Sequence, residues 1–158
     1  MGSLFNSGEI IKLAIQIEKN GRGFCDRAAR AAKSPRSKKL FEFLKSEEEK
    51  HLAVFDGMLK RIDRNDPGEN FRGEQAEYMM ALAHGNIFPE EKEEKKAVRG
   101  VRGDVAAIKL GIEFEKDSIL FYSEMKKYVS KEYQETVEEV IGQEKEHFRR
   151  LSRLLKEI

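Results

Sequence analysis

One stripe near the end of the chain constrains its fold more than any other feature. From about Tyr133 to Ile158, heptad spacing gathers Val137, Val140, Glu144, His147, Leu151, Leu154 and Ile158 on one side of a helix. A stripe of that period faces the inside of a helical bundle. Its two polar members are neighbours in the middle. An uncompensated carboxylate buried there costs several kcal/mol or more, so a solvated face is excluded. Either an ion pair or a metal must compensate it. Glu-x-x-His brings one oxygen donor and one imidazole donor to a single point, an arrangement suited to a metal.

The same pattern stands earlier in the chain. A helix expected over about 35–63 has the seam Phe41, Leu44, Glu48, His51, Phe55, Met58 and Ile62. Glu47 and Glu49 flank that pair at angles that read as solvated surface. A first helix, about 7–33, starts from a capping box of Asn6 and Glu9 and carries the seam Ile10, Ala14, Ile17, Gly21, Phe24 and Ala28. Beside that seam run Ile11, Glu18, Cys25 and Ala32, which places Glu18 on the inward edge. Ser34 then caps, and Pro35 begins, an antiparallel neighbour.

Asn65-Asp66-Pro67-Gly68 is a turn signal that opens a long crossover, about 64–103. Within it, Glu74 to Ala83 reads as a short helix with Tyr78, Met79 and Leu82 on its apolar side. The charged run from Glu90 to Lys96 reads as a solvated connector and His84 as exposed; Arg99 and Arg102 lack phosphate-loop spacing. Asp104 is the expected N-cap of a third long helix, about 104–129, whose inward set is Ile108, Gly111, Ile112, Glu115, Ser118, Ile119 and Tyr122. Ser130 caps the last helix, about 131–157.

The two halves repeat. Ile15-Gln16-Ile17-Glu18-Lys19-Asn20 lies over Ile112-Glu113-Phe114-Glu115-Lys116-Asp117 without a gap, and Cys25 falls over Tyr122. An offset one residue shorter puts Glu48 and His51 over Glu144 and His147. Each half is a helix pair with a lone inward glutamate followed by Glu-x-x-His, which predicts two antiparallel pairs related by a pseudo-twofold axis. Four carboxylates and two imidazoles at one level suit iron or manganese, and two divalent ions offset the four negative charges. Glu48 and Glu144 are positioned to bridge two ions, Glu18 and Glu115 to bind terminally, and His51 and His147 to bind one ion each.

Composition narrows the function classes. The 158 residues suit one domain, and 37% charged against 39% apolar residues, with three prolines, favour long amphipathic helices. Thirty basic and 29 acidic side chains leave no net field to steer nucleic acid. No window approaches the roughly 20 apolar residues of a membrane span. The N-terminus lacks the apolar run of a signal peptide, and a single cysteine excludes a disulfide framework or a four-cysteine metal site. A cytoplasmic protein that binds neither nucleic acid nor membrane is the expectation.

From about Ser7 to Leu155 the chain resembles the rubrerythrin branch of the ferritin-like superfamily, most specifically in the twin pattern and in Glu115 to Tyr122. The resemblance implies an all-α ferritin-like antiparallel four-helix bundle with a long crossover between helices two and three. It also implies two iron ions, with manganese or zinc as substitutes on purification, oxidised by hydrogen peroxide or oxygen. By the same resemblance Tyr122 would be a catalytic phenol near the metals. The rubredoxin module of many relatives has no counterpart in this sequence, so electrons would come from a separate carrier such as a rubredoxin. Ile112 stands where many rubrerythrins have a further glutamate, and Cys25 where a tyrosine is common. The alternative is a ferroxidase or iron-handling protein without peroxidase turnover, and a third reading is a metal-free scaffold. A homodimer or small homo-oligomer is expected.

Overall fold

The structure, a computed structural model, describes residues 5–65, 70–71, 73–85 and 103–158. Helix α1 spans Ser7–Ala31 and α2 spans Pro35–Asn65. A short α3 (Glu74–Gly85) precedes α4 (Gly103–Met125), a 3-10 turn (Lys126–Tyr128) and α5 (Lys131–Glu157). α1 packs mainly on α2 and α4 mainly on α5, giving the all-α ferritin-like bundle of two helix pairs. The expected turn at Asp66–Gly68, the charged run Glu90–Lys96, and Arg99 and Arg102 lie outside the described residues, as does the side chain of His84. No helix among the described residues is long and apolar enough to cross a membrane.

Local chemistry explains the helix ends. Asn6 is extended and its side chain accepts a hydrogen bond from the Glu9 N–H, satisfying one of the donors a helix start leaves open. α1 stops two residues short of expectation because Ala32 turns extended. The next two amides, of Lys33 and Ser34, donate to the Asp104 carboxylate at 2.9 and 2.8 Å. Asp104 therefore sits in the first turn of α4 rather than at its N-cap, and it fastens the α1–α2 junction to the second helix pair. Ser34 does cap α2, with its hydroxyl facing the Ser37 amide. Asn6 and Phe5 also pair antiparallel with Asn70 and Phe71, a contact that the helical periodicity gave no sign of.

The α1, α2 and α5 seams are buried as their spacing requires, except that the terminal Ile158 lies beyond α5 and is exposed; on α4, Ile112 and Ile119 are only half-buried, and Phe114 and Phe121 are buried as well. On α3 the buried face is Ala76 and Met79, and Tyr78 points outward instead of inward. The core falls into two apolar clusters. One gathers Ile10, Ile17, Phe55, Phe121, Val137 and Val140; the other gathers Phe24, Phe41, Leu44, Phe114, Leu151 and Leu154. Phe24 meets Phe41 and Phe114 edge-on, with centroids 5.8 and 4.6 Å apart. The six polar seam residues form a layer between these clusters, which together keep water from both sides of it.

The Asp104 link generates a test. Two hydrogen bonds to a charged acceptor are worth about 1.5–3 kcal/mol together. Asp104→Ala should lower the melting temperature by about 3–12 °C, and Asp104→Asn, which keeps one acceptor oxygen, by about half as much. Scanning calorimetry of the two variants checks it, and an unchanged melting temperature in Asp104→Ala would mean that the link contributes nothing to stability.

Candidate metal centre

Each long helix contributes inward polar atoms at one level. Glu18 comes from α1, Glu48 and His51 from α2, Glu115 from α4, and Glu144 and His147 from α5; all six are buried. The donor atoms form two overlapping groups, each within a span of 4.8 Å. Glu18, Glu48, His51 and Glu144 make one, and Glu48, Glu115, Glu144 and His147 the other. Exchanging Glu18 with Glu115, Glu48 with Glu144 and His51 with His147 turns one group into the other, as the internal repeat requires. The two shared residues are the Glu-x-x-His glutamates.

Close approach without mutual satisfaction marks the layer. His51 Nδ1 lies 3.2 Å from Glu144 Oε1 and 3.5 Å from Glu18 Oε1. Nevertheless His51 Nδ1, Glu144 Oε1 and Glu18 Oε2 are buried without a hydrogen-bond partner. Buried polar atoms are rarely left so. These atoms converge on the space between them, which is what a cation would fill once the protons leave. Room is provided on the other side by Gly21, where a Cβ would stand 3.0 Å from Glu48 Oε2. The donor set and its spacing therefore fit bound metal.

The electrostatics follow from four carboxylates sharing one dry layer. Burial, reinforced by the neighbouring carboxylates, holds Glu18, Glu48 and Glu115 well above the ordinary glutamate pKa. Glu144 is the exception. Burial opposes its charge, but the close approach of Glu115, His147 and His51 to its carboxylate outweighs burial and holds it well below. Burial likewise opposes the charge on His51, yet the Glu144 and Glu48 carboxylates and the Gln143 amide push its pKa up to about 9. The metal-free layer thus holds protons where a loaded one would hold cations.

Tyr122 donates its phenolic hydrogen to Glu18 Oε1 at 2.5 Å, crossing from the second half to the first. Burial first, and then Glu18 and Glu144, keep its pKa well above that of a free phenol. At the equivalent place in the first half stands Cys25, whose own field falls on Glu115. The thiol is buried and lines a cavity of about 10 Å³ with Gly21, Glu48, Glu115 and Ser118.

Two functional neighbours escape a reading by helix angle. His51 Nε2 donates to Gln143 Oε1 at 2.6 Å, so an amide acceptor fixes the outer nitrogen and leaves Nδ1 facing the carboxylates. The repeat places Glu47 where Gln143 stands, and Glu47 Oε2 lies 3.8 Å from His147 Nε2. Glu47 is therefore no solvated residue: its side chain is 14% exposed and its other oxygen binds Lys50. Glu49 is exposed, as expected. The available signal was the repeat itself, which sets both residues immediately before the glutamate of a Glu-x-x-His pair.

Proton linkage predicts a pH signature. Glu18, Glu48, Glu115 and His51 keep protons in the folded metal-free chain that the unfolded chain releases. For the glutamates, stability is lost as pH rises above about 4.3, and for His51 as it rises from about 6.5. The depressed Glu144 acts in the opposite sense, but only below the unfolded glutamate value. The melting temperature of metal-free protein should therefore fall as pH rises from about 5 to 7. Ferrous or manganous ion at one fixed concentration, a hundredfold above its Kd at pH 5, adds about 2.7 kcal/mol there, and because binding displaces protons the gap should widen as pH rises to about 7. Calorimetry with and without metal measures both; a constant gap would mean that the carboxylates are already ionised and paired.

Comparison with known proteins agrees with this geometry. The family model described as Rubrerythrin matches residues 9–155 and so takes in every residue of the layer. No curated protein and no solved structure matched the chain. The family match and the twofold layer of glutamates and histidines lead to one conclusion: the chain belongs to the rubrerythrin family.

Proposed function

We propose that this protein is a non-haem di-iron carboxylate oxidoreductase that reduces hydrogen peroxide or oxygen with electrons from a separate carrier. The observation that carries the reading is the pair of overlapping donor groups sharing Glu48 and Glu144. In this reading Glu48 and Glu144 would serve both ions, Glu18 and His51 would hold one of them, and Glu115 and His147 the other. Carboxylates with imidazoles favour iron or manganese over soft-ligand metals, and two divalent ions balance the four carboxylates. Bound iron would supply the redox change that delivers two electrons to peroxide.

The chain's own residues do the rest. Tyr122 orients Glu18 and, with its pKa raised, remains a neutral proton donor beside it. Gln143 keeps the Nε2 proton of His51 and so commits Nδ1 to the metal side. The apolar clusters on both sides of the layer exclude bulk water, which strengthens every charge interaction within it.

Ferroxidase activity without peroxidase turnover is the second reading. Ile112 favours it, because this half-buried side chain packs against the apolar cluster of Phe24 and Leu151 and offers no further carboxylate. Anaerobic iron loading followed by peroxide titration separates the two. A peroxidase turns over repeatedly when a reduced carrier is supplied, whereas a ferroxidase consumes oxidant only as ferrous ion is added.

Metal analysis tests the ligand roles. Wild type should hold about two ions per chain, Glu144→Ala almost none and Glu18→Ala about one. Equal contents in the two variants would remove the bridging assignment. Gln143→Leu should weaken binding of one ion by about 10- to 100-fold, read by competition with a chelator.

A further inference from the structure

A groove of about 510 Å³ runs between the start of α2 and the end of α5. Four cations line it, Arg36, Lys39, Arg150 and Arg153, against two carboxylates, Glu146 and Glu157. Both carboxylates are already engaged, Glu157 by Arg36 and Glu146 by Arg149 and Arg150. Lys39 and Arg153 are exposed and have no carboxylate partner among the described residues, so the groove presents uncompensated positive charge. A second surface groove, lined by Asp26, Arg30, Lys38, Glu42, Lys45 and Glu49, balances three cations with three carboxylates and touches none of the six layer residues.

What distinguishes the basic groove is its floor. Phe43 lies there with the Arg150 guanidinium 4.4 Å from its ring centroid. The ring also meets His147 edge-on, with centroids 6.0 Å apart. One half-buried aromatic ring thus separates a basic surface from a histidine whose Nδ1 lies 3.2 Å from Glu144. The surface, the ring and the histidine are continuous.

We propose that this groove is the docking surface for an acidic electron-transfer protein, with Phe43 and His147 forming the contact route from the docked carrier to the layer. The proposal rests on the redox reading above and adds to it a place and a partner charge. Each encounter oxidises the carrier by one electron. Two encounters and two protons balance the reduction of one hydrogen peroxide to two waters. Uncompensated charge at the mouth steers an acidic partner and raises the encounter rate, a contribution that salt removes.

Stopped-flow mixing of reduced, acidic rubredoxin with iron-loaded, peroxide-oxidised protein tests this. The second-order rate should fall as ionic strength rises from about 10 mM to 1 M. Lys39→Glu/Arg153→Glu should lower the low-salt rate by about tenfold or more and flatten its salt dependence. Reduction by dithionite, which needs no docking, should be unchanged in that variant. The control Lys60→Glu/Lys109→Glu, with the same charge change elsewhere, should keep the wild-type rate. A groove variant that matches wild type, or a control that is slowed equally, overturns the docking surface. So does sedimentation showing that the groove variant splits a dimer, which would assign the face to a second copy of the chain. If dithionite changes nothing in metal-loaded wild type, the redox reading itself fails and the docking proposal falls with it.

Discussion

Repulsion among four buried carboxylates is the constraint on which the rest of this structure depends. Glu18, Glu48, Glu115 and Glu144 share one layer with two imidazoles and, among the described residues, no buried lysine or arginine. Like charges so close in a dry interior cannot all ionise without compensation. The metal-free chain meets the constraint with protons on three glutamates and on His51, leaving Glu144 as the charged centre of the network. A metal-loaded chain would meet it with cations. The apolar clusters, the glycine beside Glu48, the hydrogen bond from Tyr122 and the one that Gln143 accepts all serve to hold this group together.

The layer is twofold in its donors but not in its surroundings. Tyr122 supports Glu18, whereas the smaller Cys25 stands opposite Glu115. A neutral amide faces His51 and a carboxylate faces His147. The two halves thus present the same donor types in different surroundings. His147 is also the member with an aromatic link to the surface.

Most of the layer was legible in the sequence, because a seam position fixes which side of its own helix a residue occupies. All six could be placed from period, and the repeat paired Glu18 with Glu115 and one Glu-x-x-His with the other. What the period does not contain is the partner across the interface. Glu47 looked solvated by angle, yet α5 covers it with His147. Asp104 looked like a cap for its own helix, yet its carboxylate reaches back to Lys33 and Ser34. Tyr78 looked inward by its apolar ring, but the packing of α3 chose Ala76 and Met79. In each case a tertiary neighbour decided what local spacing left open.

The division of the core into two apolar clusters also acts as a vernier for the bundle. A helix that slid by one turn, about 5.4 Å, would still present apolar residues to apolar residues along most of its length. It would, however, carry a glutamate out of the layer and into phenylalanine and leucine, at a cost of several kcal/mol. Uniform hydrophobic seams tolerate such slips; a seam interrupted at one level on all four long helices does not. The residues that would hold metal therefore also set the axial alignment of the helices, and the chain carries its assembly gauge in the same six side chains as its chemistry.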